Sequence, residues 1–264
     1  MSPKDAPSLT IAIVSHGQIS LVERLLNTLS SHKPEIDFQV VILENVPDHP
    51  KIDFSHFEFK LTYLKNQSSL GLSRNINLIF DKFCQDSDYF CILNPDIIFE
   101  DEVFSGLFTA METHQIDIIA PLIVNTNQEI QDSFRPIPNP VEIILRFLNL
   151  IKSHYDYDSL PIISYPDWIA AMFLLMPSQI FKKVGGFNPR YRLYFEDVDF
   201  CVRARNMNLT IGVIKTIRVI HDGQRTSHKN VLFLFHHIVS ALKFFVSKEY
   251  RSKHDKRPKR SAYN

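Results

Sequence analysis

The sequence predicts an α/β domain with a mainly parallel central sheet, flanked by helices and followed by a helical C-terminal extension. Two observations carry this reading. Short apolar runs of strand length alternate with amphipathic helical segments through the first half of the chain. Each strand-like run leads into a polar loop (residues 15–17, 44–48, 66–75 and 94–96), and these loops lie at the strand ends where parallel sheets bind ligands.

In order, LTIAIVSHG from Leu9 reads as a buried strand ending at a glycine turn. Leu21, Leu25, Leu26 and Leu29 then fall at helical spacing. FQVVILEN from Phe38 and FKLTYLKN from Phe59 are further buried strands, and SRNINLIFDKFC from Ser73 is a second helix. DYFCILNPDIIF from Asp88 is a fourth strand, broken at Asn-Pro. DEVFSGLFTAMETH is a third helix with Asp101 as its expected N-cap, and IDIIAPLIV from Ile116 is a fifth strand. Residues 125–166 are loop-rich and hold five prolines (Pro136, Pro138, Pro140, Pro161, Pro166), interrupted by one short helix in VEIILRFLNLI. A helix is expected to start at Glu196 or Asp197. A final helix over about residues 230–250 puts Val231, Leu234, Phe235, Ile238, Leu242 and Phe245 on one broad apolar face.

Composition narrows the function classes. At 264 residues and 45% hydrophobic, the chain can bury a substantial core. Its 29 basic and 29 acidic residues cancel, so no global field draws nucleic acid, and none is expected as a partner. Cys84, Cys91 and Cys201 lack CxxC spacing, which argues against a disulfide framework or structural zinc and fits a reducing compartment. The start, MSPKDAPS, is polar, and no uncharged apolar run reaches the roughly 18 residues of a membrane span. A cytoplasmic location is therefore expected. No GxGxxG follows the first strand and no GxxxxGK[ST] occurs, which weakens dinucleotide and P-loop readings.

Two constellations carry chemistry. In CILNPDIIF, Pro95 fixes its own φ and biases Asn94 toward extended geometry, so Asp96 is held at the strand edge. A carboxylate there suits a hard divalent cation bridging a diphosphate, although Asn-Pro-Asp is equally an ordinary strand-capping turn. Glu44 and Asn45 end the second strand, where an acid can bond a base edge or a ribose hydroxyl, or simply sit in a solvated turn. The second constellation is FEDVDFCVR, residues 195–203, with three carboxylates in four positions. Asp199 and Arg203 are four apart and can pair on a helix. Glu196 and Asp197 at the helix mouth are either N-terminal acids favoured by the dipole or a general base in a partly desolvated site.

The order of these motifs, with DWIAAMFLLMPSQIFKKVGGF followed by YFEDVDFCVR, resembles the inverting glycosyltransferase family 2, and within it the bacterial rhamnosyltransferase-like branch of O-antigen and capsule assembly. The resemblance runs from about Leu9 to His228. It implies the GT-A fold, a Rossmann-like, mixed but mainly parallel sheet. It further implies a nucleotide-sugar-binding half (9–124) and an acceptor and catalytic half (125–228); outside it, the residues themselves mark an N-terminal tail (1–8), an amphipathic helix (229–250) and a basic tail (251–264). Transfer would run from a nucleoside-diphosphate sugar, dTDP- or UDP-linked, to a glycan or lipid-linked acceptor, with Mn²⁺ or Mg²⁺ as cofactor. By the same resemblance Asp197 is the catalytic base, supported by Glu196. Asp96 and His221 approach the metal. Ser15, His16, Glu44, Asn66, Arg74, Asn77 and Asn94 line the donor, and Asp167 and Trp168 the sugar and acceptor side.

The sequence departs from the family at Val14-Ser15-His16-Gly17, where Thr-Tyr-Asn is common, at Glu44 in place of Asp, and at Ala170-Ala171 in place of Gly-Ala. These departures bear on donor specificity and keep open an inactive sugar-nucleotide-binding scaffold as an alternative. A metal-dependent nucleotidyltransferase is disfavoured, because the basic glycine-rich first loop is missing. The apolar face and basic tail of the last helix suit an anionic membrane surface, peripherally on the inner face of the plasma membrane.

Overall fold

A computed structural model describes residues 7–48, 52–147, 150, 159–223 and 231–252. Strands β1 (Ser8–Ser15), β2 (Asp37–Glu44), β3 (Lys60–Lys65) and β4 (Tyr89–Leu93) pair in parallel in the order β3-β2-β1-β4. Their register places Ser15 beside Glu44 and Glu44 beside Lys65, so the polar loops emerge along one edge. Alternate side chains feed opposite layers. Ile11, Ile13, Val40 and Ile42 pack on α1 (Ile19–Ser31), while Ala12, Val14, Val41 and Leu43 pack on α2 (Leu72–Phe83). Burial on both faces is why these strands read as unbroken apolar runs.

The chain continues through β5 (Ile97–Ile98), α3 (Phe104–His114), β6 (Ile118–Val124), β7 (Phe134–Arg135), α4 (Pro140–Phe147), β8 (Ile163–Ser164), β9 (Trp168–Ile169), β10 (Phe173–Pro177), α5 (Ser178–Val184), α6 (Glu196–Asn206), β11 (Ile211–His221), α7 (Val231–Phe245) and α8 (Lys248–Ser252). The sheet runs on from β4 as β10-β6-β11-β5, with β8 also on β11, and a separate β7-β9 pair lies off it. β10 is antiparallel to both β4 and β6, whereas β6 and β11 run with the first four strands. The sheet is thus mixed but mainly parallel, and strands from before and after residue 125 share it.

Three local expectations need correction. The cap of α3 is not Asp101: the helix begins at Phe104, and the Glu102 carboxylate accepts from the amides of Phe104 (2.8 Å) and Ser105. The C-terminal helix breaks after Phe245, and the Ser247 hydroxyl, accepting from the Tyr250 amide at 3.2 Å, opens α8. The helix in 141–151 ends at Phe147, and most of the remainder, like the basic tail beyond Ser252, lies outside the described residues. No helix among the described residues is long and apolar enough to cross a membrane.

Candidate active site

The first loop is built from the inside. Glu44 is fully buried, and its carboxylate accepts from the Ser15 hydroxyl (2.6 Å) and from the amides of Gly17 and Val46 (both 2.9 Å). Ser15 and Glu44 therefore act first as the frame of the loop, leaving His16 exposed at its tip. Beside them the Asn45 side-chain oxygen accepts from Asn66 Nδ2 (2.7 Å) and the Leu70 amide (2.9 Å). Its amide group donates to the Leu70 carbonyl (2.9 Å), and Asn66 also donates to Asn75 (2.9 Å). One amide network thus ties together the loops after β2 and β3 and the start of α2. Arg74 stands exposed on the first turn of that helix.

The Asn-Pro-Asp turn meets the end of β11. The Asn94 amide donates to the Met172 carbonyl (2.8 Å), and the Asp96 carbonyl accepts from the Asp222 amide (2.9 Å). Asp96 Oδ2 lies 3.2 Å from His221 Nε2. Gln131 donates its Nε2 to the His221 carbonyl (2.9 Å), which turns its Oε1 toward His221 Nδ1 at 2.8 Å. We assign the imidazole proton to Nδ1 on that pattern. A neutral ring would then set the Nε2 lone pair against a carboxylate, a clash that a proton or a cation between them removes. The other Asp96 oxygen is buried without a partner. Two ligands with a free carboxylate oxygen fit a divalent cation completed by diphosphate oxygens and water. Among the described residues no third His, Cys, Asp or Glu joins them.

Glu196 and Asp197 open α6. The two residues before them, Tyr194 (φ 67°) and Phe195 (φ 68°), are both left-handed without being glycine, a strained entry that persists only where packing over-determines it. Asp197 accepts from the amides of Val198 (2.8 Å) and Ala171 (3.3 Å). Burial pushes its pKa up to about 6, and those amides hold it below what burial alone would give. Glu196 is 4% exposed, with Oε2 unpartnered. Burial first, and then the Asp197 charge, push it up to about 8. Burial pushes both carboxyls up and Glu196 the further, so of the two Glu196 holds a proton more readily and Asp197 carries the charge more readily. Ala171, which holds Asp197, is next to Met172, which holds the Asp96 turn, so one short strand entry links both acids.

The other acids and amides have structural duties. Asp199 is fully buried and pairs with Arg203 Nε at 2.7 Å, as the spacing predicts. Arg203 also donates to the carbonyls of Val184 and Gly186, joining α6 to the end of α5. That end turns through Gly185 and Gly186 at φ 86° and 65°, a conformation that L side chains resist. Asn77 both donates to (2.7 Å) and accepts from (2.9 Å) the Phe187 backbone, and so fixes the same turn. Asp167 accepts from the Ile137 amide (2.9 Å) and pairs with Arg205 (3.0 Å), and Trp168 donates to the Pro136 carbonyl (3.1 Å).

The profile of the family described as Glycosyl transferase family 2 matches residues 10–175, more than half of the chain. The chain belongs to this family. It is a glycosyltransferase of the GT-A type by fold. It is 23% identical over 247 residues to the rhamnosyltransferase WbbL of Escherichia coli K12, covering 90% of this chain and 92% of that protein. Its fold is similar to the mannosyltransferase PcManGT of Pyrobaculum calidifontis, solved with GDP-Man and Mn²⁺ (TM-score 0.61, 11% identity, 97% of this chain and 66% of that one). It is also similar to GalNAc-T7, solved with UDP, GalNAc and Mn²⁺ (TM-score 0.60, 11% identity, 84% of this chain), of which it spans only 45%.

Sequence reasoning placed Asn45 and Asn75 in this glycosyltransferase's candidate loops without giving either a role of its own, and it left out Gln131. The first two are buried amides at strand and helix ends, a legible signal in hindsight. Gln131 lies 90 positions from its partner in a loop, and no local pattern marks it.

Proposed function

We propose that the chain is an inverting transferase that moves a hexosyl or deoxyhexosyl group, rhamnose being the leading candidate, from a dTDP- or UDP-linked donor to a hydroxyl of a glycan or lipid-linked acceptor during bacterial surface polysaccharide synthesis. The observation that carries the reaction class is the buried Glu196–Asp197 pair at the mouth of α6, joined through residues 171–172 to the Asp96–His221 turn. The rhamnosyltransferase likeness over nine-tenths of the chain supports the sugar class. In this reading the acceptor oxygen bonds to the anomeric carbon, the bond from that carbon to the phosphate oxygen breaks on the opposite face, and the hydroxyl proton passes to Asp197. Glu196, neutral, adds no second negative charge near the leaving diphosphate. Asp96 and His221 would hold Mn²⁺ or Mg²⁺, which when bound supplies charge neutralisation for the departing nucleotide. His16, Asn66, Arg74 and Asn94 border the donor side, and Asp167 and Trp168 shape the acceptor side.

Asp197→Asn tests the base. Turnover should fall by about 10²–10⁴-fold while calorimetric binding of the sugar nucleotide stays near wild type. Wild-type turnover should rise with pH through about 6, as Asp197 loses its proton. Near-normal turnover in the variant removes Asp197 from the mechanism.

The same reading places the enzyme at an anionic inner leaflet, where a lipid-linked acceptor resides. Phe235, Ile238 and Leu242 on α7 and Val246 just after it stand 49–61% exposed at near-helical spacing, and exposed Lys248 and Arg251 follow in α8. The double variant Ile238→Ser, Leu242→Ser should lose co-sedimentation with phosphatidylserine vesicles; equal binding by both proteins would remove the membrane assignment.

A further inference from the structure

The outer face of α7 was read above as a membrane surface; its inner face touches the catalytic loop. The Ser240 hydroxyl donates to the Leu193 carbonyl at 2.8 Å. Lys243 Nζ donates to the Arg190 carbonyl at 2.9 Å, and Arg190 returns a bond to the Lys243 carbonyl at 3.2 Å. Phe244 is fully buried with its ring 5.4 Å from that of Phe195, and His237 lies 5.4 Å from Phe195 and 5.2 Å from Tyr194. All these contacts fall on residues 190–195, the stretch that enters α6 through two left-handed residues. Nothing in the α6 sequence enforces that entry. Tyr and Phe avoid positive φ, and no side chain caps the helix start. The start of α2 grips the first part of the loop, the Leu72 amide donating to the Arg192 carbonyl (3.0 Å) and the Ser73 hydroxyl to the Tyr191 carbonyl (2.8 Å), and α7 packs on Leu193, Tyr194 and Phe195.

We propose that α7 is a positioning element for the general base: Ser240, Lys243 and Phe244 hold the 190–195 loop in the conformation that presents Asp197 and keeps Glu196 from water. This rests on the transferase reading and adds its regulation, because whatever displaces or seats α7 moves the base loop with it. The charged and titratable groups facing the loop are Arg190, Tyr191 and Arg192 on the loop itself, Lys243 and His237 on α7, Arg135 beside His237, Asp199 on α6 and Glu249 on α8, both of which act on Tyr191, and Asp197, whose charge acts on Glu196. None pairs with Glu196 directly. The loss of a clamp should therefore act on Glu196 through its burial rather than through a broken ion pair.

The test uses the full-length protein, a soluble acceptor and two clamp variants, Ser240→Ala and Lys243→Met, each checked by thermal melting. Turnover (kcat) should fall at least tenfold with a smaller change in donor KM, because α2 holds the donor-side end of the loop at Tyr191 and Arg192 independently of α7. In ¹³C-carboxyl-labelled protein, the Glu196 resonance should titrate at lower pH than in the wild type as water reaches it. Wild-type kcat together with an unmoved Glu196 titration in both variants overturns the proposal. The labelled titration also separates this inference from the function it builds on. A protein that transfers no sugar but shows the titration moving in the variants would sink the transferase reading and leave the α7 clamp standing.

Discussion

Replacing Glu196 with glutamine should stabilise the protein, and only at pH values where the wild-type carboxyl is a burden. Glu196 is 4% exposed with one oxygen unpartnered, and its pKa is pushed from an ordinary 4.5 to about 8. Between these values the folded chain keeps a proton that the unfolded chain has released. The unfolded state then binds fewer protons, so stability falls as pH rises through this window, and the penalty is complete above about pH 8. At about 1.4 kcal/mol for each tenfold change in proton affinity, the ceiling is about 5 kcal/mol. Glutamine relieves only part of this, because its amide is also buried and because Asp197 shares the titration. A gain of about 2 kcal/mol is the working figure, equivalent to roughly 4–8 °C in Tm for a chain of this size. Calorimetric melts of both proteins from pH 4.5 to 9 should diverge steadily, with no advantage at the acid end. Parallel curves would show that Glu196 is not held protonated, and the division of roles between the two acids would fall with it.

Two further outcomes follow from the same geometry. Asp96→Ala should abolish the Mn²⁺ dependence of sugar-nucleotide binding measured by titration calorimetry; unchanged metal dependence would take Asp96 out of the metal site. Arg203→Met leaves the fully buried Asp199 without its cation and should cost about 3–5 kcal/mol in urea unfolding, where an exposed pair would cost under 1.

Much of the fold was legible because the physics was local. A strand covered on both faces must be apolar along its middle, and residues 11–14 of β1, 40–43 of β2 and 90–93 of β4 show it. The pairing of Asp199 with Arg203 follows from helix geometry once a helix is accepted there. What stayed hidden depends on distant partners. FLLM in β10 is as apolar as any other strand, but nothing in its sequence tells that it runs backwards between β4 and β6. Glu102 outcompeted Asp101 for the α3 amides because the helix began two residues later than its acidic run suggested. In the site, Asp96 stood out from its Asn-Pro-Asp turn, while His221 was named only through the family resemblance. The orientation of the imidazole, which makes the pair fit a cation, is imposed by Gln131 from a loop with no periodicity to read.

The unequal roles of Glu196 and Asp197 were the least legible feature, since adjacent acids look alike in a sequence. Both carboxylates receive backbone amides, and their difference lies in what their oxygens are left without. Asp197 receives two backbone donors, from Val198 and Ala171, so its negative charge is met within the fold. Glu196 takes amide bonds from its own backbone and that of Tyr194, but its Oε2 is buried with no partner, so charging it would leave a buried oxygen unmet beside another anion. The proton therefore goes to Glu196. Once there, it frees Asp197 to remain ionised at neutral pH with a pKa close enough to that range to accept a proton in the transition state. On this argument burial of Glu196 is what makes Asp197 useful. On the proposed function, the α7 contacts that would keep Glu196 dry belong to the catalytic arrangement together with the carboxylate that would take the proton.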